Sequence, residues 1–164
     1  MTTNKQTIIQ FRRKREGKTN YKKRLKLLMA KKPRLCVRIS LKTISAQIIE
    51  YAPDGDKVIG SVNSSSLTKL GIKSTGNTPS AYLTGLMVGK LAKEKGVNEM
   101  ILDIGFRKPV KGSKVYAVLK GALDAGIEIP HSDDIIPSED RLNGKNIKGL
   151  SDTISKIKTQ ILGK

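Results

Sequence analysis

Residues 34–41 alternate strictly along the chain. Leu35, Val37, Ile39 and Leu41 share one face, and Arg34, Cys36, Arg38 and Ser40 share the other, the two-residue period of a strand with one buried side. A tight turn near Lys42 leads to a second strand over about 43–51. Pro53-Asp54-Gly55-Asp56 turns the chain again, and 57–63 reads as a third strand, so the three predict an antiparallel meander. Upstream, Tyr21, Leu25, Leu28 and Met29 recur at i, i+4, i+7 and i+8, which predicts a short helix capped by Asn20 and running to about residue 30. Lys32-Pro33 ends it, because proline disfavours a helical residue before it.

Beyond the meander the period lengthens. Thr78-Pro79 reads as a helix start with a hydroxyl cap, and the helix should run to Lys95 and stop at Gly96. Ala81, Gly85 and Gly89 lie four apart, a smooth strip suited to close packing on a sheet. Residues 100–104 are an apolar run with one acid, as in a strand buried on both faces. Ser113 is placed to cap a second helix ending at Gly126, and 127–129 reads as a short strand before Pro130. Ile154, Ile157, Ile161 and Leu162 form a last amphipathic stripe after Ser151. The order β-β-β-α-β-α-β predicts an α/β fold, a three-layer mixed sheet with helices on its faces. Residues 1–32 read as an arm with a short helix, and 33–164 as a single domain including the C-terminal helix.

Composition locates the function class. The chain has 164 residues and a formal net charge of +18, far beyond what solubility requires. Residues 1–42 carry 15 basic side chains and 1 acidic one, whereas 43–164 carry 17 and 13. The excess is thus a basic N-terminal arm, with Arg12-Arg13-Lys14-Arg15 as its uninterrupted run. Leu, Ile, Val and Phe number 44, enough for a packed core on the rest. Such an arm asks for a polyanion, nucleic acid first and an anionic membrane second. The arm's helix is short and carries neither Trp nor Phe on its apolar face, which argues against membrane insertion. No apolar run approaches a membrane span, and the first residues do not read as a signal peptide, so a cytoplasmic protein is expected. The arm is expected to order on binding.

The chemistry of catalysis is thin. Cys36 is the one cysteine and His131 the one histidine, so neither an internal disulfide nor a Cys/His zinc site is available. The first strand offers Arg34 and Arg38 where a two-metal nuclease needs carboxylates. Asp103 reads as a hydrogen-bonded structural residue. The loop Ser74-Thr75-Gly76-Asn77-Thr78 reads either as an ordinary turn and cap or as a phosphate contact at a helix start. It is no P-loop, because the Gly-Lys-Ser/Thr ending is missing. The basic loop over 106–112 is open between function and mere solubility, and His131 between a loop hydrogen bond and an RNA contact. With aromatics at 4% and no Trp, base stacking is a poor basis for recognition. Phosphate, 2′-hydroxyl and shape recognition of RNA are favoured.

At these motifs the chain resembles the 5S ribosomal RNA-binding family of the large ribosomal subunit, number eighteen in the universal nomenclature, in its archaeal form. The resemblance is carried by Arg12-Arg13-Lys14-Arg15-Glu16-Gly17-Lys18-Thr19, by Lys32-Pro33-Arg34-Leu35 and by Thr75-Gly76-Asn77. Ala81-Tyr82-Leu83-Thr84-Gly85-Leu86, Leu102-Asp103-Ile104-Gly105, Asp124-Ala125-Gly126 and Ile129-Pro130-His131 extend it. Leu41 and Phe106-Arg107 depart from the family pattern. The resemblance implies a ribonuclease-H-like fold without catalytic carboxylates, hence no enzyme, no cofactor and no metal. It implies a structural protein that binds 5S rRNA and tethers it to 23S rRNA in the central protuberance, beside neighbouring ribosomal proteins there. Arg12, Arg13, Arg15, Lys18, Tyr21, Arg24, Arg34, Arg38 and Gln47 fall where that family engages RNA. Lys14, Lys31, Lys32 and Lys42 join them as candidate contacts on the arm and at the first turn.

Overall fold

The alternation in 34–41 becomes the central strand of a four-stranded mixed sheet. In the computed structural model, which describes residues 9–147 and 149–163, the sheet comprises β1 (Arg34–Ile39), β2 (Ile44–Glu50), β3 (Lys57–Asn63) and β4 (Ile101–Asp103). Their order is β3-β2-β1-β4. The first three form the predicted antiparallel meander, and β4 pairs parallel to β1 with Cys36 opposite Asp103. The first eight residues of the arm lie outside the described residues.

The register puts Leu35 opposite Ile48 and Val37 opposite Ala46, and with Ile44 these side chains form a fully buried apolar patch on the inner face of β1 and β2. Two long helices cover that face. α3 (Thr78–Glu94) packs across β2 and β3, and α4 (Lys114–Asp124) lies beside it on β1. α6 (Ser151–Leu162) and the single turn α5 (Glu139–Leu142) pack on the outer side of α3. Sheet on one side and helices on the other explain why α3 is buried nearly all round, from Pro79 to Ala92. Each core leucine or isoleucine there contributes about 1.5–3 kcal/mol by leaving water. Among the described residues no helix is long and apolar enough to cross a membrane.

Several local expectations are corrected. β1 ends at Ile39, not at 41, and Leu41 is 98% exposed. Ser40 N–H donates to the Thr43 carbonyl at 2.8 Å and Thr43 N–H to Ser40 Oγ at 2.9 Å, which closes the turn before Leu41 can join the strand. The cap of α3 is Asn77, whose side chain accepts from Ser80 N–H, and Thr78 is already helical. Ser113 and Ser151 make no side-chain cap. The segment 127–129 is not a strand but a single parallel bridge from Glu128 to Glu99. Gly126 (φ +88°) turns the chain straight out of α4, and Pro130 cuts the pairing short.

The glycine strip on α3 faces a helix rather than the sheet. A Cβ at Gly85 would overlap the Val118 carbonyl, and one at Gly121 the Tyr82 carbonyl. α3 and α4 therefore meet backbone to backbone, a separation that only glycine at the crossing allows.

Candidate nucleic-acid interface

The outer face of the sheet is where the arm lies. α1 (Arg12–Arg15) is one basic turn, and α2 (Tyr21–Leu28) is the predicted short helix, with Asn20 accepting from Lys23 N–H as its cap. The Phe11 and Tyr21 rings pack tilted against each other, centroids 5.2 Å apart, joining the two. No residue of α2 is fully buried, and Leu25 and Met29 stay exposed. Its stripe is thus not what holds it. Polar ties do that: Lys23 Nζ donates to the Gly105 carbonyl at 3.1 Å, and Arg24 Nη2 reaches Asp56 Oδ1 at 3.0 Å.

Beneath the arm sits an ion cluster built by strand alternation. Arg34, Cys36 and Arg38 share the outer face of β1, and the parallel register sets Asp103 of β4 beside them. Arg34, only 5% exposed, donates to Asp56 Oδ2 at 2.6 Å and to Asp103 Oδ2 at 3.4 Å. Its Nε has no partner among the described residues. Arg38 is half exposed, donating to the Asp103 carbonyl at 2.8 Å and to Asp103 Oδ2 at 3.4 Å. Gly105 N–H donates to Asp103 Oδ1 at 2.8 Å.

Burial alone would raise the Asp103 pKa. The Gly105 N–H, then Arg38, Cys36 and Arg34 outweigh it and hold the carboxyl below the ordinary carboxylate range. Burial first, and then the Asp103 charge, push the Cys36 thiol up to about 12. A buried thiol that donates to Asp103 at 3.4 Å is inert, so this cysteine is part of the scaffold.

The structure sorts the sequence-predicted residues into groups. Arg13, Lys18, Arg24, Arg34 and Arg38 line one cleft of about 220 Å³ between arm and sheet. Gln47 extends the same sheet face, opposite Cys36, with its amide towards Ser61 at 3.4 Å. Arg12 and Lys18 bracket Glu16 at 2.7 and 2.8 Å, and Lys18 first, then Arg12, lowers that exposed carboxyl's pKa. Arg13 donates to Thr19 Oγ1 at 2.9 Å. Lys14 and Arg15 are exposed and form no ion pair among the described residues. Lys31 is also exposed, in left-handed backbone (φ 52°) just past α2, while Lys32 pairs with Glu99. Lys42 stands apart, at the β1–β2 turn in a different cleft.

Sequence reasoning missed Asp56 and Lys23, and it left Asp103 isolated. Asp56 was legible only as a turn residue, because its partners Arg24 and Arg34 are 32 and 22 positions away. His131 Nδ1 hydrogen-bonds the Ile129 carbonyl at 2.7 Å. Among the described residues no three His, Cys, Asp or Glu side chains gather to hold a metal ion.

A mixed α/β domain with a cationic arm laid over an ion-paired sheet face presents the basic footprint that nucleic-acid-binding proteins carry. The chain matches the model of the ribosomal large subunit proteins 60S L5 and 50S L18 over residues 5–101 and again over 89–132. It belongs to that family of structural ribosomal proteins, whose members are RNA-binding parts of the large subunit and of the translation machinery.

Proposed function

We propose that this protein binds 5S rRNA through its arm and the outer sheet face, and tethers it to 23S rRNA in the central protuberance of cytoplasmic ribosomes. Neighbouring ribosomal proteins of the protuberance complete its surroundings. One observation carries the reading: the acids of this face are used up internally. Glu16 takes Arg12 and Lys18, Asp56 takes Arg24 and Arg34, and Asp103 takes Arg34 and Arg38. Arg13, Lys14, Arg15, Lys22, Lys26 and Lys31 are exposed without an ion pair among the described residues, and they supply charge for phosphates. Arg24 and Arg34 serve RNA at one remove, by holding the arm in place. Arg38 and Gln47, partly open, are suited to ribose or phosphate contacts beside it.

The test is a binding titration of the purified chain against 5S rRNA at physiological salt, with excess competitor duplex DNA and an unrelated RNA of similar length. Sub-micromolar affinity that survives the competitors is expected. Equal affinity for the unrelated RNA would defeat the reading, because phosphate attraction alone does not discriminate.

A further inference from the structure

A cleft distinct from the one under the arm lies at the β1–β2 turn. It measures about 640 Å³ and is walled by the β1–β2 turn, the loop before α3, the start of α4, and α5 with the segment after it. Each wall contributes one cation: Lys42, Lys73, Lys114 and Arg141. No carboxylate lines it, and none of the four forms an ion pair among the described residues. A second hollow adjoins it through Leu41 and Lys114, adds Arg107 and Lys108, and is equally free of acids. The ordinary body of the chain, nearly balanced in charge, thus gathers unpaired cations at one end.

The walls are fastened together. Thr75 Oγ1 donates to the Lys42 carbonyl at 2.6 Å, and a Cβ on Gly76 would come within 2.9 Å of the Leu41 carbonyl. Gly144 is equally tight, with Pro79 Cγ and Ile154 Cδ1 3.2 and 2.8 Å from where its Cβ would be. Four like charges therefore surround a space lined by no carboxylate, and their repulsion is relieved by a polyanion. At the start of α3, Asn77 already occupies Ser80 N–H, and Pro79 has no N–H to offer a phosphate. Cations arriving from four separate segments suit an extended chain of phosphates better than one terminal phosphate.

We infer that this cleft is a second RNA-backbone site, lined by none of the residues of the arm's cleft, in which Lys42, Lys73, Lys114 and Arg141 neutralise successive phosphates of rRNA. The inference rests on the RNA-binding reading above and gives it a second grip, as a tether between two RNA segments requires.

The experiment compares salt dependence of binding to in-vitro transcribed 5S rRNA and 23S rRNA. Three full-length chains are used: unaltered, K73Q/K114Q/R141Q, and the arm variant R13Q/R15Q. Losing three phosphate contacts should make log affinity against log salt shallower by about 2–3 for at least one of the two RNAs. Thermal unfolding should not move, because Lys73 and Arg141 are exposed and Lys114 is partly so. Unchanged slopes for both RNAs in the cleft variant, with a shallower slope in the arm variant, overturn the inference and leave the RNA reading intact. The inference is equally overturned if the cleft variant loses affinity for polyglutamate alone, which would mark an acidic protein segment as the occupant. If the unaltered chain binds neither RNA, the RNA reading falls and the inference with it.

Discussion

Arg34 and Asp56 form a 2.6 Å ion pair at the seam between arm and sheet, with Arg24 on the second oxygen of the same carboxylate. Arg34 is buried, and Asp56 is a quarter exposed. Asp56→Asn should therefore do two things. It should destabilise the fold by roughly 1–3 kcal/mol, because a buried guanidinium loses part of its compensation. It should also free α2, since Arg24 loses its anchor. Urea unfolding reads the first, and amide exchange over residues 24–28 the second. Amides of α2 that exchange equally fast in the unaltered chain would refute the docking of the arm.

The same pair shows what the sequence hid. Strand alternation made the faces of β1 legible, and the charge count located the arm, because both are local properties of consecutive residues. The register of β4 against β1 is not local, so Asp103 could be read as structural without its partners being visible. Asn77 displaced Thr78 as a cap because its side-chain oxygen reaches Ser80 N–H, one residue out of phase with the proline signal. The glycine strip was recognised, yet whether a helix or a sheet fills it depends on where α4 lands. Lys73, Lys114 and Arg141 look like scattered solubilising charges until folding brings four segments to one cleft.

At the helix crossing, Gly85→Ala puts a methyl group onto the Val118 carbonyl, which is backbone and cannot swing aside. Overpacking in a core costs about 1–3 kcal/mol, and the gain in helix propensity of about 1 kcal/mol does not offset the upper part of that range. A lower thermal midpoint is expected for G85A, and likewise for G121A against Tyr82 and Leu86. A midpoint equal to or above that of the unaltered chain would show that the helices can part cheaply.

Cys36 sets an alkaline limit. In the unfolded chain a thiol titrates near pH 8.5 or so, while in the fold it titrates at about 12. Between those values the folded form holds a proton that the unfolded form has released. Stability from this group is thus present below about pH 8.5 and falls by about 1.4 kcal/mol per pH unit above it. Chemical denaturation at pH 8 and at pH 10 should show a steeper loss in the unaltered chain than in Cys36→Ala. Parallel losses would dissociate the thiol from the effect. Asp103 works in the opposite sense: its depressed folded pKa stabilises above the usual carboxylate range, and that contribution is lost as acid protonates it.

Arg15 and Arg34 separate charge offered to RNA from charge spent on structure. Arg15 is exposed and has no ion pair among the described residues, whereas Arg34 sits between two carboxylates. Arg15→Gln should leave stability within about 0.5 kcal/mol and make the salt dependence of 5S rRNA binding shallower by about 0.7–0.9. Arg34→Gln should cost about 3 kcal/mol of stability, because Asp56 and Asp103 lose their shared cation. Any affinity lost by the still-folded R34Q should leave the salt slope unchanged, since no phosphate contact has been removed. Equal shallowing of the slope in both variants would mean that Arg34 reaches RNA itself, and the division of labour between arm surface and buried cluster would fail.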